Sequence, residues 1–243
     1  MTQFPNSAEP NPAEDLSAKV RGPFSTILAD PPWQFQNRTG KVAPEHRRLL
    51  RYPTMELKEI MELPVAKLAA AKSHLYLWVP NALLLEGLQV MEAWGFTYKT
   101  NMVWYKVRKD GGPDGRGVGF YFRNVTELVL FGVRGSMRTL RPGRTQVNIL
   151  STRKREHSRK PDELHDIIEQ CSPGPYLELF ARFARTGWDQ WGNEDVEENS
   201  NLGVARRKGH VEPQLRLFTP PKGYQGDSDD GPQAIPRRLA ASE

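Results

Sequence analysis

The stretch Phe24-Ser25-Thr26-Ile27-Leu28-Ala29-Asp30-Pro31-Pro32-Trp33 decides the fold of this chain. Its first six residues are mostly apolar or β-prone, and they predict a buried strand. The two prolines lack a backbone donor, so they cannot continue that strand and they predict a rigid turn. Asp30 therefore stands at the carboxyl end of a strand, where ligands bind in open α/β sheets.

A carboxylate, a proline carbonyl and an aromatic ring are gathered at this turn. The two acceptors can hold the protons of an exocyclic amine, and the indole can lie against the ring that carries the amine. For an isolated aspartate, capping of the following turn is the commoner role. The Pro-Pro-Trp sequence behind Asp30 favours a site for a planar ring with an amino group instead.

Segments of strand and helix character alternate along the chain after this turn. Strands are predicted over Leu75–Val79, over one or two parts of Phe96–Val107, and over Thr126–Val133, Tyr176–Phe180 and Gly187–Gly192. Helices are predicted over Met55–Leu63 with Thr54 as cap, around Pro64 through Ala71, over Ala82–Trp94 between Asn81 and Gly95, and over Pro161–Cys171. Such alternation predicts an α/β fold with a largely parallel sheet covered on both faces.

Composition divides the 243 residues into three parts. Residues 1–22 and 195–243 are rich in proline, glycine or charge and poor in apolar side chains, so we expect both ends to be largely disordered. Residues 23–194 are expected to form one domain with its own core. No stretch approaches the roughly 20 apolar residues of a membrane span, and the amino terminus lacks the apolar core of a secretory signal. We therefore expect a soluble, cytoplasmic protein.

The net charge and the cysteine and histidine content indicate which kinds of partner and metal the chain can bind. The formal net charge is +5, which suits a polyanionic partner such as nucleic acid. Cys171 is the single cysteine, so an intrachain disulfide and a cysteine-rich zinc site are excluded. The five histidines lie far apart without a paired spacing, and no metal is expected.

Nine short motifs follow one another in an order that resembles the MT-A70 family of S-adenosylmethionine-dependent N6-adenine methyltransferases. Asp-Pro-Pro-Trp alone would be a weak indication, but the nine motifs together cover nearly all of residues 24–194. They are Asp30-Pro31-Pro32-Trp33, Tyr52-x-Thr54-Met55, Leu77-Trp78-Val79, Trp94-Gly95-Phe96, Val103-Trp104-x-Lys106, Arg159-Lys160-Pro161-Asp162-Glu163, Ser172-Pro173-Gly174, Glu178-Leu179-Phe180-Ala181-Arg182 and Gly187-Trp188-Asp189-x-Trp191-Gly192-Asn193-Glu194.

The resemblance implies a Rossmann-like methyltransferase with a mostly parallel sheet and a permuted motif order, in which the catalytic tetrapeptide precedes the cofactor strand. It implies S-adenosyl-L-methionine as cofactor and N6 of adenine in nucleic acid as acceptor. DNA is favoured over RNA, because short members without an RNA-recognition module look like bacterial or phage DNA enzymes. We therefore expect a site-specific or low-specificity DNA adenine N6-methyltransferase, as a monomer or homodimer.

The resemblance also implies roles for individual residues at the substrate. The tetrapeptide Asp30-Pro31-Pro32-Trp33 would be catalytic: the Asp30 carboxylate and the Pro31 carbonyl each accept one amine N–H, and Trp33 stacks on the base. Tyr52 matches a tyrosine near the target base. The residues themselves, and not the resemblance, predict phosphate contacts by the basic side chains on or beside the glycine-rich loop Lys109–Phe122, with an ordinary hairpin insertion as the alternative. These side chains are Arg108, Lys109, Arg116 and Arg123.

Cofactor contacts are implied for Asp30, Lys160, Phe180, Arg182, Asn193 and Glu194. Lys160 matches the contact to the methionine carboxylate, Arg182 the contact to the ribose, and Asn193 a residue beside the adenine. Glu194 stands where the messenger-RNA enzyme has glutamine. Phe183-Ala184-Arg185 replaces the Pro-His-Asn of that enzyme, so two of its ribose or adenine contacts differ here.

Other interpretations stay open at this point. The chain can be an RNA enzyme or a catalytically silent, nucleic-acid-binding family member. It can also methylate another amine, such as cytosine N4 or that of a small molecule, since permuted amino-methyltransferases share the acid-Pro-Pro-aromatic pattern. Trp78 and Trp104 lie inside apolar strands and are predicted to belong to the core, and His165 is predicted to be an ordinary helix residue.

Overall fold

A computed structural model describes residues 11–34, 54–115, 121–153 and 159–192 of the chain. Its centre is a seven-stranded sheet in the order β5-β3-β4-β2-β1-β6-β7. β4 runs antiparallel to its neighbours β2 and β3, and the other four pairings are parallel. The predicted α/β fold with a mostly parallel sheet is thus confirmed. The strands are β1 (Phe24–Ala29), β2 (Ala69–Val79), β3 (Thr97–Val107), β4 (Thr126–Arg134), β5 (Ile149–Arg153), β6 (Tyr176–Leu179) and β7 (Trp188–Trp191).

Helices cover both faces of this sheet. One face carries α1, α2 and α4, whose Leu16, Ile60 and Val90 join the larger core. The other face carries α5, whose Leu164 and Ile168 join a second core. The helices are α1 (Pro12–Lys19), α2 (Leu57–Glu62), α3 (Val65–Leu68), α4 (Leu84–Ala93) and α5 (Glu163–Cys171), with 3₁₀ turns at Asn81–Leu83 and Pro142–Thr145.

The central strands supply both cores because successive side chains of a strand point to opposite faces. In β2, Leu75 and Leu77 belong to the larger core, whereas Tyr76 and Trp78 belong to the core beneath α5. With both faces buried, the carboxyl edge of the parallel strands is the part of the sheet that remains for a site.

The segment 69–71, predicted to be helical, is the start of β2 instead. Alanine favours a helix in isolation, but Phe24 of β1 pairs with Ala69 across the sheet. Pairing between strands overrides the local preference here. The preceding helix is accordingly short and ends at Leu68.

Two predicted helix caps are also corrected. α2 begins at Leu57, and the Glu59 carboxylate accepts a hydrogen bond from the Glu56 backbone N–H at 2.7 Å, so Thr54 is not its cap. The Asn81 side chain does not cap α4. It donates to the carbonyl and hydroxyl oxygens of Thr126 at 3.1 and 3.0 Å, which ties the end of β2 to the start of β4.

The helix α1 corrects the expectation that residues 1–22 are largely disordered. The Asn11 side chain accepts a hydrogen bond from the Ala13 N–H at 2.9 Å, and Leu16 is fully buried. Asp15 accepts a hydrogen bond from the Trp191 indole at 2.8 Å, which fastens α1 to the edge strand β7. The expectations for residues 1–10 and 195–243 lie outside the described residues.

Two further elements were not predicted, namely β5 and the 3₁₀ turn before it. β5 is short and contains Ser151, Thr152 and Arg153, so it lacks the apolar run that marks a buried strand. It pairs with β3 at the far edge of the sheet. Within the described parts of the chain, none of the helices has the length and apolar character needed to span a bilayer.

Candidate active site

The predicted Asp-Pro-Pro-Trp turn lies at the carboxyl edge of the sheet. Asp30 follows β1 directly, and its backbone N–H donates to the Leu179 carbonyl at the end of β6 at 3.4 Å. The Pro31 carbonyl accepts the Trp33 N–H at 2.8 Å, and the Pro32 carbonyl accepts the Met55 N–H at 3.0 Å. These bonds hold the turn rigidly while about a fifth of the Asp30 side chain, 22%, stays exposed.

Trp33 anchors this turn in the core. Its side chain is only 6% exposed, and its indole N–H donates to the Trp78 carbonyl of β2 at 2.9 Å. Little of the ring therefore faces the site in this conformation, and its stacking on a base stays a prediction.

Lys160 and Asp30 were both predicted as site residues, and they are in direct contact. The Lys160 ammonium donates to the two carboxylate oxygens of Asp30 at 2.8 and 2.9 Å. Lys160 stands directly before the buried Pro161, at the start of the segment that leads into α5. The loop before α5 thus places the Lys160 ammonium at the carboxyl end of β1.

A second carboxylate, Glu127 near the start of β4, also reaches this cation. Its Oε2 lies 3.4 Å from the Lys160 ammonium, and its Oε1 accepts a hydrogen bond from Lys106 of β3. The four side chains form a row of alternating charge in the order Asp30, Lys160, Glu127, Lys106. Each of the two inner members, Lys160 and Glu127, thus lies between two opposite charges in a partly buried site.

Two tryptophan rings lie against the cations of this row. The Lys160 ammonium is 5.0 Å from the ring centre of Trp78, and the Lys106 ammonium is 4.7 Å from that of Trp104. The two rings meet edge to face with their centres 5.8 Å apart, and the Trp104 indole donates to the Thr152 hydroxyl at 2.8 Å. Both tryptophans are buried core residues as predicted, and they add a cation–π contact that the prediction missed.

The charges in the row shift the pKa values of its members. Burial alone would lower the pKa of Lys160, but the attraction of Asp30 and Glu127 outweighs burial and raises it above the ordinary value. Burial alone would raise the pKa of Glu127, but Lys160 and Lys106 outweigh it and lower that pKa. At neutral pH Lys160 is therefore an ammonium and Glu127 a carboxylate.

Glu127 and Lys106 are the members of the site that sequence reasoning missed. Glu127 stands in an apolar strand, and a charged residue in such a run is a signal in itself, because acids are seldom buried without a partner. Lys106 belongs to the motif Val103-Trp104-x-Lys106, which does not by itself indicate a role for it. Across the antiparallel pair, Glu127 lies opposite Trp104, which leaves Lys106 as its diagonal neighbour.

The predicted cofactor strand ends beside this row. Phe180 follows β6 and has a φ of 63°, in the left-handed region that a bulky residue seldom adopts. Its ring packs edge to face on Trp191 with the centres 5.2 Å apart. The charge of Arg182, two residues later, opposes protonation of Lys160, so the structure brings Arg182 into the electrostatic range of the site.

The remaining predicted contacts are placed only in part. Arg123 is exposed just before β4, whose antiparallel course puts its start at the same edge as Asp30. Tyr52, Arg116, Asn193 and Glu194 lie outside the described residues. Among the residues that the structure describes, no cluster of three or more His, Cys, Asp or Glu side chains is arranged to hold a metal ion.

Comparison with known proteins agrees with this geometry. The chain is 31% identical over 201 residues to the type II methyltransferase M.MunI of Mycoplasma sp, covering 76% of this chain and 83% of that protein. It is 27% identical to the human N(6)-adenosine-methyltransferase catalytic subunit METTL3 over 74% of this chain and 29% of that protein. The N(6)-adenosine-methyltransferase MT-A70-like of Arabidopsis thaliana is also 27% identical, over 89% of this chain and 30% of that protein.

The chain thus spans most of the type II methyltransferase but less than a third of the two N(6)-adenosine-methyltransferases. The model of the MT-A70 family matches residues 24–194, which run from the first residue of β1 to just beyond β7. This match takes in both members of the Asp30–Lys160 ion pair. The chain therefore belongs to the MT-A70 family of methyltransferases.

Proposed function

We propose that the protein transfers the methyl group of S-adenosyl-L-methionine to N6 of adenine in nucleic acid, with DNA as the favoured polymer. One observation carries this proposal. A partly exposed carboxylate, Asp30, and an ammonium, Lys160, are held together at the carboxyl edge of the sheet in a family of methyltransferases. This edge is where an open α/β sheet binds its ligands.

The residues at this edge fit the proposed cofactor. Lys160 is an ammonium whose side chain is 26% exposed, so its donors can reach an amino-acid carboxylate as well as Asp30. Arg182 would bond the cofactor ribose, the backbone at Phe180 would follow it closely, and Asn193 and Glu194 would contact its adenine. When bound, the cofactor supplies an electrophilic methyl group on a sulfonium.

The chain's own part in the reaction is to orient the amine. The Asp30 carboxylate has lone pairs beyond those that meet Lys160, and the Pro31 carbonyl has one beyond the Trp33 N–H. Each would accept one proton of the adenine N6. These bonds direct the nitrogen lone pair away from the ring and towards the methyl group, for an in-line displacement.

Proton loss follows bond formation. Once N6 carries the methyl group, the amine would be acidic and would give up one proton to water or to the Asp30 carboxylate that accepts its N–H. A strong base is not required, because the proton leaves only after the amine has become acidic. Trp33 and Tyr52 would contact the base, while Arg116 and Arg123 would meet phosphates.

DNA is favoured because the chain spans 83% of the type II methyltransferase but only 30% and 29% of the two N(6)-adenosine-methyltransferases. RNA is the second candidate, because N(6)-adenosine-methyltransferases match at 27% identity. With DNA as its substrate, the protein would share the acceptor atom of those relatives and differ from them in the polymer.

The test is transfer of labelled methyl from S-adenosyl-L-methionine to DNA and RNA of the same sequence, followed by base analysis. We expect N6-methyladenine, mainly in DNA, and no product with Asp30→Ala, although that variant still binds cofactor. Glu62→Gln, which removes an exposed acid paired with Lys58 on α2, is the matched control and should keep full activity. Label in cytosine, or full activity of Asp30→Ala, would overturn the mechanism.

A further inference from the structure

We infer that a basic cavity at the opposite edge of the sheet binds a backbone phosphate of the same nucleic acid, away from the target base. The inference rests on the proposed function. The cavity has a volume of about 550 Å³ and lies between the start of β3, the end of β4 and the segment after β4. Three cations line it, together with the hydroxyls of Ser136 and Thr139 and the apolar side chains of Phe131 and Val133. The cations are Lys99, Arg138 and Arg144.

The cavity and the candidate active site are separated along the strands. Ala29 lies opposite Leu77 in β2, and Arg134, next to the cavity, lies opposite Ser73. Asp30 and residue 135 are thus offset by roughly six residues of β2, which is about 20 Å at the usual rise of a strand. A ligand in the cavity cannot be the cofactor or the target base.

The charge of the cavity is uncompensated. No acidic residue is among the described residues that line it. Within the described chain, neither the Lys99 nor the Arg138 side chain makes an ion pair or a hydrogen bond, and both are exposed. Like charges that surround one space repel each other, so an anion between them is favoured.

Arg144 is already oriented within this cavity. Its Nε donates to the Thr139 carbonyl at 3.2 Å, which holds the guanidinium and leaves its other N–H groups for a ligand. A guanidinium presents its donors in a planar fork that matches the oxygens of a phosphate. The neighbouring hydroxyls of Ser136 and Thr139 can add single hydrogen bonds.

The segment that carries Arg138 and Arg144 is fixed at both ends. At one end, Gly135 has a φ of 66°, and a side chain there would meet the Ala71 carbonyl at 2.4 Å. At the other end, a side chain on Gly143 would meet the Cys171 sulfur at 2.4 Å, and the Leu140 N–H donates to the Cys171 carbonyl at 2.8 Å. Close backbone packing therefore preforms the cavity, which lowers the cost of ordering it on binding.

A nucleic-acid backbone fits this arrangement better than a small free anion. Its phosphate would meet the cations, and its sugar would lie on the apolar part of the cavity at Phe131 and Val133. A separation of about 20 Å corresponds to about six base pairs of B-form DNA. The cavity would therefore hold a phosphate several nucleotides from the target adenine. It would strengthen binding only of substrates that are long enough to reach it.

The test compares oligonucleotides that can or cannot reach the cavity. A short one carries about four nucleotides on each side of a single adenine, and a long one about twelve. Binding is followed by fluorescence anisotropy with the full chain and with the triple variant Lys99→Gln, Arg138→Gln and Arg144→Gln. The control variant Lys19→Gln, Lys58→Gln and Lys67→Gln removes the same charge from exposed positions that do not line the cavity.

We expect the full chain to bind the long oligonucleotide at least about tenfold more tightly than the short one at low salt. The triple variant should lose that gain in affinity, and the slope of its log affinity against log salt concentration should be smaller by about 2 to 3. It should still methylate the short oligonucleotide normally. The control should keep the gain. Arg138→Lys, which conserves charge, should keep most of it and checks that lost affinity reflects charge rather than misfolding.

Four results would overturn the inference, the last of them being a normal reaction with no length effect. The first is a length effect that survives in the triple variant, and the second is an equal loss in the control. The third is a free nucleotide that competes for the cavity as strongly as the long oligonucleotide does. If neither oligonucleotide is bound or methylated by the full chain, the proposed function itself fails. If the full chain methylates both oligonucleotides normally and binds them equally well, the cavity does not bind the nucleic acid but the proposed function stands.

Discussion

Lys160 donates to both carboxylate oxygens of Asp30 at 2.8 and 2.9 Å, although the two residues stand 130 positions apart in the chain. The parallel pairing of β1 with β2 and β6, and the loop before α5, bring them together at one edge. The cation has two further neighbours, Glu127 and the Trp78 ring. The pair therefore joins the residue proposed to hold the amine to the residue proposed to hold the cofactor.

Lys160→Gln should weaken cofactor binding about tenfold or more. A charge-assisted hydrogen bond contributes roughly 1.5–3 kcal/mol, and 1.4 kcal/mol is about a factor of ten. Calorimetry with S-adenosyl-L-methionine measures the change. Lys160→Arg keeps the charge and should recover part of the affinity. Equal affinity of the glutamine variant and the unchanged protein would remove Lys160 from the cofactor site.

Glu127→Gln should change the alkaline side of the pH profile. Asp30 and Glu127 together raise the pKa of Lys160, so its ammonium persists above the ordinary pKa of the group. With Glu127 neutral, one source of that rise is gone, and Lys160 loses its proton at lower pH. Methyl-transfer rates measured from neutral to high pH should therefore begin to fall earlier in the variant. Glu62→Gln, which removes an exposed acid of α2, is the control, and its profile should overlay that of the unchanged protein.

Trp33→Phe should lower both stability and activity. It removes the hydrogen bond from the indole to the Trp78 carbonyl, which should cost about 1–3 kcal/mol, and it loosens the turn that holds Asp30. Trp94→Phe is a matched control, because the buried Trp94 indole donates to the Ile60 carbonyl at the same distance of 2.9 Å. Urea denaturation should show a similar loss of stability in both variants, while the rate of methyl transfer should fall only in Trp33→Phe. Equal activities would show that the turn tolerates the missing bond.

His74 should make the protein less stable in mild acid. It is fully buried, its Nδ1 lies 2.8 Å from the Ser172 hydroxyl, and burial lowers its pKa below the ordinary 6.5. Below pH 6.5 the unfolded chain binds a proton that the folded chain does not, so the free energy of unfolding falls as the pH falls.

Urea denaturation at about pH 7.5 and 5.5 measures this effect. His74→Gln should have a lower free energy of unfolding than the unchanged protein at both pH values. Its free energy of unfolding should, however, fall less between about pH 7.5 and 5.5. Ser172→Ala removes the partner and keeps the imidazole, so its loss on acidification should persist. A His74→Gln variant with the full acid sensitivity of the parent would show that other groups cause it.

Deleting residues 1–22 should destabilise the domain, although the family match begins only at residue 24. The deletion exposes the surface that Leu16 covers, and burial of a leucine contributes about 1.5–3 kcal/mol. Deleting residues 1–10 leaves α1 intact and should change little. Thermal unfolding of the two shortened chains decides the point, and equal midpoints would show that α1 contributes nothing.

Sequence reasoning predicted the parts of the fold and site that depend on local pattern. The apolar run before Asp30 gave β1 with the correct bounds, and the motif order linked Asp30 to Lys160. The row from Asp30 to Lys106 depends instead on the register of β3 against β4, which no local pattern contains. The start of β2 was wrong for the same reason, because pairing with β1 overrides the preference of alanine.

The basic cavity escaped prediction for a related reason. No regular element was predicted between β4 and Pro161, so nothing placed Arg138 and Arg144 next to Lys99 of β3. Their proximity follows from two close backbone contacts, at Gly135 and Gly143. Contacts of that kind appear only after the chain has folded, since each joins residues distant in the sequence.

The hydrogen bond from Trp191 to Asp15 has a consequence for how the chain can be rearranged. It brings the first helix and the last strand of the described domain side by side, so its two ends meet. A domain with adjacent ends tolerates circular permutation, because the ends can be joined and the chain reopened at an exposed turn with the sheet order unchanged. Joining residue 194 to residue 11 and opening the chain at an exposed turn away from the candidate site would change the order of the elements in the sequence and leave Asp30 and Lys160 in contact.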